Sequence, residues 1–93
     1  MENMVKAHVI IKGRVQGVFF RVKTKQTADG LNVSGWVRNK SDGTVEAVFE
    51  GKKNDVIPVI NWCHQGPSRS VVTDVNVTWH DYKKEYKKFS ITG

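Results

Sequence analysis

From Val5 to Lys12 the chain alternates, with Val5, Ala7, Val9 and Ile11 set against Lys6, His8, Ile10 and Lys12. A period of two with one mostly apolar set predicts a strand with one buried face. The run stops at Gly13, and residues 13–20, GRVQGVFF, read as a loop with two glycines. Arg21 to about Asp29 has a weakly amphipathic helical pattern, with Gly30 placed to stop it in the left-handed region. Val33 to Arg38 and Thr44 to Glu50 read as two further strands. The stretch between them, Asn39-Lys40-Ser41-Asp42-Gly43, ends in the Asp-Gly pair that favours a hairpin.

Asn54 is placed to cap a second helix, whose apolar face is Val56, Val59, Ile60 and Cys63. Pro58 falls in its first turn, where proline is tolerated, and Gly66-Pro67 ends it. Val71 to His80 is a long fourth strand with Thr73, Val75, Val77 and Trp79 on one side. The segment YKKEYKK reads as a solvated basic connection, and Phe89 with Ile91 suggests a short closing strand. The order βαββαβ plus a C-terminal strand predicts an α+β fold. It is a ferredoxin-like sandwich, a mostly antiparallel sheet with two helices on one face. No repeat, linker or low-complexity segment interrupts it, so residues 1–93 read as a single domain. That fold hosts many activities, and function has to be argued from a site.

Length and composition narrow the classes. One cysteine, Cys63, excludes an intrachain disulfide and fits a reducing compartment. No apolar run approaches the roughly 20 residues of a membrane span. The N-terminal MENMVKAHVI lacks the blocks of a signal peptide. The expectation is a cytoplasmic protein, monomeric by default at this size. Fifteen basic against nine acidic side chains give a formal charge of +6, which favours anionic partners without saying which. Asn-x-Ser/Thr sequons at Asn32 and Asn76 fall in apparent strands and read as chance matches.

The candidate chemistry lies in Gly13-Arg14-Val15-Gln16-Gly17-Val18-Phe19-Phe20-Arg21, which joins a strand to a helix. Glycines let the backbone turn sharply and present its N–H groups, which can form a nest for an anion. The helix start adds partial positive charge, and Arg21 adds a planar fork of donors matched to phosphate oxygens. No Gly-Lys-Ser/Thr follows, so this is not a nucleotide loop of the Walker type. On these residues alone, a tight turn with a surface arginine is an equal reading. Arg14 and Gln16 read as solvent-facing, and Trp36 and Phe20 as core or cleft wall.

GRVQGVFFR is similar to the phosphate-loop signature of the acylphosphatases. Gly35-Trp36-Val37-Arg38-Asn39, followed by three residues, Gly43, one residue, Val45, five residues and Gly51, resembles that family's second signature. Size and element order extend the resemblance over nearly the whole chain. It implies that Arg21 binds the substrate phosphate together with the backbone of Arg14, Val15, Gln16, Gly17, Val18, Phe19 and Phe20. It implies that Asn39 orients the attacking water. It further implies hydrolysis of carboxyl-phosphate anhydrides such as acetyl phosphate, giving a carboxylate and inorganic phosphate without metal or cofactor.

The residues themselves agree with that economy. The loop offers no obvious base or nucleophile, and His8, His64 and His80 lack a metal-ligand spacing. A carboxylate leaving group, with a conjugate acid pKa of roughly 4, departs without protonation. What remains is to place water in line and stabilise charge on the phosphoryl oxygens.

Three other readings compete. Cys63 to Ser70 matches the Cys-x₅-Arg-Ser/Thr pattern of cysteine phosphatases, but Cys63 ends a helix, where the dipole raises the thiol pKa, and Pro67 removes a cradle N–H. An RNA-recognition module would share the element order and the charge, but TVEAVFEG lacks the aromatic signature, so no nucleic-acid partner is expected. A catalytically idle interaction domain is disfavoured by the presence of both Arg21 and Asn39.

Overall fold

The computed structural model describes residues 3–93, so the first two positions of the N-terminal stretch lie outside the described residues. The elements are β1 (Met4–Arg14), α1 (Phe20–Gly30), β2 (Ser34–Asn39), β3 (Val45–Lys52), α2 (Lys53–Gln65), β4 (Val71–His80) and β5 (Phe89–Ile91). They form a five-stranded sheet in the order β4-β1-β3-β2-β5. β1 runs antiparallel to β3 and β4, and β2 antiparallel to β3, while β5 joins β2 in parallel. The expected α+β sandwich is the fold found.

The alternation in β1 sets the core. Ala7, Val9 and Ile11 are fully buried and pair in register with Phe49, Ala47 and Val45 of β3. α2 adds Val56, Val59, Ile60 and Cys63, the face its periodicity predicts, and α1 adds Phe20, Thr24 and Ala28. Each fully buried Val, Ile or Phe contributes about 1.5–3 kcal/mol. The weak pattern of α1 has a cause: its central core position is a threonine, whose hydroxyl is satisfied by donating to Phe20 O at 2.7 Å. Phe89 stacks on Phe49 at 5.6 Å between ring centres, which anchors the short β5.

Several boundaries differ from expectation. β1 continues through Gly13 to Arg14 across a register shift against β4. A Cβ at Gly13 would sit 2.0 Å from Val71 O, so the close approach of β4 demands glycine there. Gly30 lies inside α1, and the left-handed residue is Asn32, with φ 57°. Asparagine tolerates that region by bonding locally, so the chain turns at Asn32, and the asparagine of the sequon lies before β2 rather than in a strand. Asn54 does not cap α2. β3 stays paired to Lys52, the helix starts at Lys53, and Asn54 is its second residue. Pro58 is therefore the sixth helical residue, past the first turn, and withholds the N–H that would bond Asn54 O.

The sheet face away from the helices is crossed by the connection from β4 to β5. This segment is exposed at its lysines but is not merely solvated. The fully buried carboxylate of Glu50 accepts N–H bonds from Lys83 at 3.1 Å and Glu85 at 3.0 Å. Glu85 pairs with Lys6, and Trp36 Nε1 donates to Tyr86 Oη at 3.2 Å. Trp36 thus belongs to this outer layer, where it lines an open hollow with Arg38 and Thr92, and not to the core. Nearby, Glu46 accepts from His8 at 2.7 Å and Arg38 at 2.6 Å. Burial pushes its carboxyl pKa up, but these two bonds outweigh it and hold the group below the ordinary value.

Candidate active site

Residues 15–19 carry the chain from β1 into α1. Gly17 and Phe19 are left-handed, with φ 73° and 64°. A Cβ at Gly17 would meet open space, so its backbone angle, not crowding, is what favours glycine. For a bulky residue such as Phe19 the same region costs of order 1–3 kcal/mol, a strain found mostly at functional positions. Phe19 is the N-cap of α1, and its carbonyl accepts from Lys23 N–H at 3.1 Å. No side chain caps this end, and its first turn carries no acidic residue. The amides of Phe20, Arg21 and Val22 therefore begin the helix without intrahelical acceptors, in a field that favours an anion.

A cleft of about 210 Å³ opens at this helix start. Buried Val15 and Phe20 and exposed Gly17, Phe19 and Val22 line it, and Arg21 and Asn39 both reach it. Arg21 is partly exposed and enters no ion pair among the described residues. Asn39 closes β2, paired with Val45. Its Oδ1 is buried without a hydrogen-bond partner. Such an atom costs about 1–3 kcal/mol, so Asn39 is not held there by hydrogen bonds of its Oδ1 within the fold. Phe20 is held beneath the cleft by the Trp62 ring, 5.3 Å away.

Gln16 departs from its expected solvent exposure. Its Nε2 donates to Lys40 O at 2.7 Å and to Thr44 O at 2.9 Å, 24 and 28 residues away. Those carbonyls belong to the turn after Asn39, which Lys40 N–H to Thr44 O at 2.9 Å and Thr44 N–H to Asp42 Oδ1 at 3.0 Å already close. One carboxamide with two donors thus fastens the loop bearing the helix start to the hairpin bearing Asn39. No local sequence signal announces this, because the partners are backbone atoms of a distant turn. Arg14 ends β1 exposed and does not line the cleft, and Val18 is buried away from it. Val22, which no sequence pattern singles out, does line it.

The competing cysteine motif stands apart. Cys63 is buried on α2, and burial pushes its thiol pKa up to about 12, the opposite of what a nucleophile needs. Among the described residues no three His, Cys, Asp or Glu side chains gather as a metal-binding group.

An open helix start beside a free guanidinium and an unpartnered carboxamide, set at one end of a ferredoxin-like sandwich, defines a class of small α+β domain shaped to receive a compact anion. Within that class the chain belongs to the acylphosphatase family, whose model matches residues 7–91. An acylphosphatase of Pelotomaculum thermopropionicum is 49% identical over 89 residues, covering 96% of this chain and 97% of the relative. Another, from Pyrobaculum islandicum, is 53% identical over 92 residues, covering 98% and 96%. The crystal structure of acylphosphatase from Bacillus subtilis superposes with a TM-score of 0.92 at 36% identity, covering 96% of this chain and 99% of that one.

Proposed function

We propose that this chain hydrolyses acyl phosphates by direct attack of water on phosphorus, with Arg21 and the loop amides holding the phosphoryl group and Asn39 aiming the water. The observation that carries the reading is the shared cleft, in which an unpaired guanidinium and the Asn39 side chain meet beside the open end of α1. The phosphoryl oxygens take the N–H groups of the helix start, and the Arg21 fork takes two of them. The Asn39 carboxamide holds the water by a hydrogen bond, which leaves a lone pair of its oxygen free to face phosphorus. A new P–O bond forms from the water, the P–O bond to the acyl group breaks, and its electron pair leaves with the carboxylate. The water's proton ends on the phosphate: the acyl phosphate dianion and water give a carboxylate and dihydrogen phosphate.

Because the carboxylate leaves unprotonated, no general acid, metal or cofactor is required. The lone buried thiol suits a reducing cytoplasm, and no helix among the described residues is long and apolar enough to cross a membrane. We read residues 1–93 as one catalytic domain that acts as a monomer. The test is hydrolysis of acetyl phosphate beside p-nitrophenyl phosphate, each with and without EDTA. Rapid turnover of the anhydride, little of the monoester and no effect of EDTA are expected. Equal rates on both, or loss of activity to EDTA, would overturn the reading.

A further inference from the structure

Asn39 is the last residue of β2, and its Oδ1 has no hydrogen-bond partner among the described residues. β5 pairs with β2 as far as Val37, whose carbonyl accepts from Thr92 N–H at 2.9 Å. Asn39 lies two residues further on, in the last rung that β2 makes with β3, opposite Val45. The rung before it sets Arg38 opposite Glu46. Side chains alternate along a strand, so Arg38 stands on the outer face of the sheet while Asn39 turns to the cleft. On that outer face Arg38 Nε donates to Glu46 Oε1 at 2.6 Å, and Glu46 Oε2 accepts from His8 at 2.7 Å. One carboxylate on the central strand thus grips β1 with one oxygen and the end of β2 with the other.

We propose that Glu46 and Arg38 are positioning residues for the reaction: their ion pair fixes the last rungs between β2 and β3 and so keeps the Asn39 carboxamide turned into the cleft. The inference rests on the role proposed for Asn39 and extends it to the opposite face of the sheet. The carboxylate of this pair is 12% exposed and the guanidinium 46%. Such a pair adds little net stability, because desolvation offsets the attraction, and the best-attested use of a buried charge pair is to fix a register. Register matters here, since a slip of one residue would carry the Asn39 side chain to the outer face. Gln16 holds the turn beyond Asn39 from the side of the loop, and Glu46 holds the residue before it from the outer face. Neither Glu46 nor Arg38 lines the cleft, so both act through Asn39.

The experiment measures acetyl phosphate hydrolysis and inhibition by inorganic phosphate in the wild type, Glu46→Val, Arg38→Met, the double variant, Glu46→Gln and Asn39→Ala. Denaturant unfolding gives the folded fraction of each sample. Glu46→Val and Arg38→Met are each expected to lower the kcat of folded enzyme by roughly 10–100-fold, the upper value matching a misplacement on the order of 1 Å. KM and phosphate inhibition stay at their wild-type values, because Arg21 and the helix start are untouched. The double variant loses no more than the worse single one, since both changes remove the same tie. Glu46→Gln keeps most of the activity: its carboxamide oxygen accepts from Arg38, and its N–H group donates to the unprotonated nitrogen of a neutral His8. Should Glu46→Val fail to fold, Arg38→Met, at a half-exposed position, decides. Wild-type kcat in Arg38→Met, additive losses in the double variant, a loss in Glu46→Gln as large as in Glu46→Val, or a parallel rise in KM and in the phosphate inhibition constant overturns the inference and leaves the role of Asn39 standing. Near-normal turnover in Asn39→Ala, or none by the wild type, overturns the underlying reading and this inference with it.

Discussion

Asn39 and Arg21 sit in one cleft, and their tasks there are separable. Asn39 Oδ1 has no hydrogen-bond partner among the described residues, so it ties no other element into the fold. Asn39→Ala is expected to lower kcat by about 10²–10³-fold, the scale of losing one preorganised polar group. Inhibition by inorganic phosphate should change little. Arg21→Ala is expected to lose turnover and phosphate inhibition together, and Arg21→Lys to restore little, because a point charge does not reproduce the two-pronged fork. Steady-state kinetics with inorganic phosphate as inhibitor checks all three, and near-normal turnover in either alanine variant would remove its assigned role. Both residues are legible in the sequence, but only as parts of a motif. Neither an arginine at a helix start nor an asparagine before a turn says alone that the two share a cleft. The exposure of Phe19 and the lining role of Val22 are not legible there, since both depend on how the loop turns into α1.

Among the elements, the contact that matters is between the loop after β1 and the hairpin after β2. Gln16 makes it, with two bonds to Lys40 O and Thr44 O. Gln16→Ala removes both, at a stability cost of about 1–3 kcal/mol. The hairpin is then free to shift against α1, and a misplacement on the order of 1 Å costs about 10²-fold in rate. Purified Gln16→Ala should therefore show a kcat reduced well beyond any unfolded fraction, with the loss read by kinetics and denaturant unfolding on the same sample. A rate loss no larger than the unfolded fraction would reduce Gln16 to a structural tie. The order and type of the elements are readable from periodicity, because the core faces of β1 and α2 carry their apolar residues at regular spacing. Their ends are not. The left-handed stop lies at Asn32 rather than Gly30, and α2 starts ahead of Asn54, because β3 pairs through Lys52 and the helix begins without a loop. Strand pairing overrides the local capping preference.

Across the whole molecule, the helices and the apolar face of the sheet make the core, while the opposite face is held by polar contacts under the segment from β4 to β5. Glu50 anchors that segment through two backbone N–H groups, a role invisible in YKKEYKK because the anchor lies 33 and 35 residues away. The pairing of β5 alongside β2 is equally hidden, since three residues carry too short a pattern to choose a neighbour. The surplus of six positive charges favours anionic substrates over the whole surface, but the choice of anion falls to one end of the sandwich. On the proposed reading the phosphoryl group, not the carbonyl carbon, is the held and polarised centre there. Turnover of acetyl phosphate in ¹⁸O-labelled water, with both products analysed by mass spectrometry, tests this most directly. Attack at phosphorus predicts one ¹⁸O in inorganic phosphate and none in acetate; label in acetate would place the attack at carbon and contradict it.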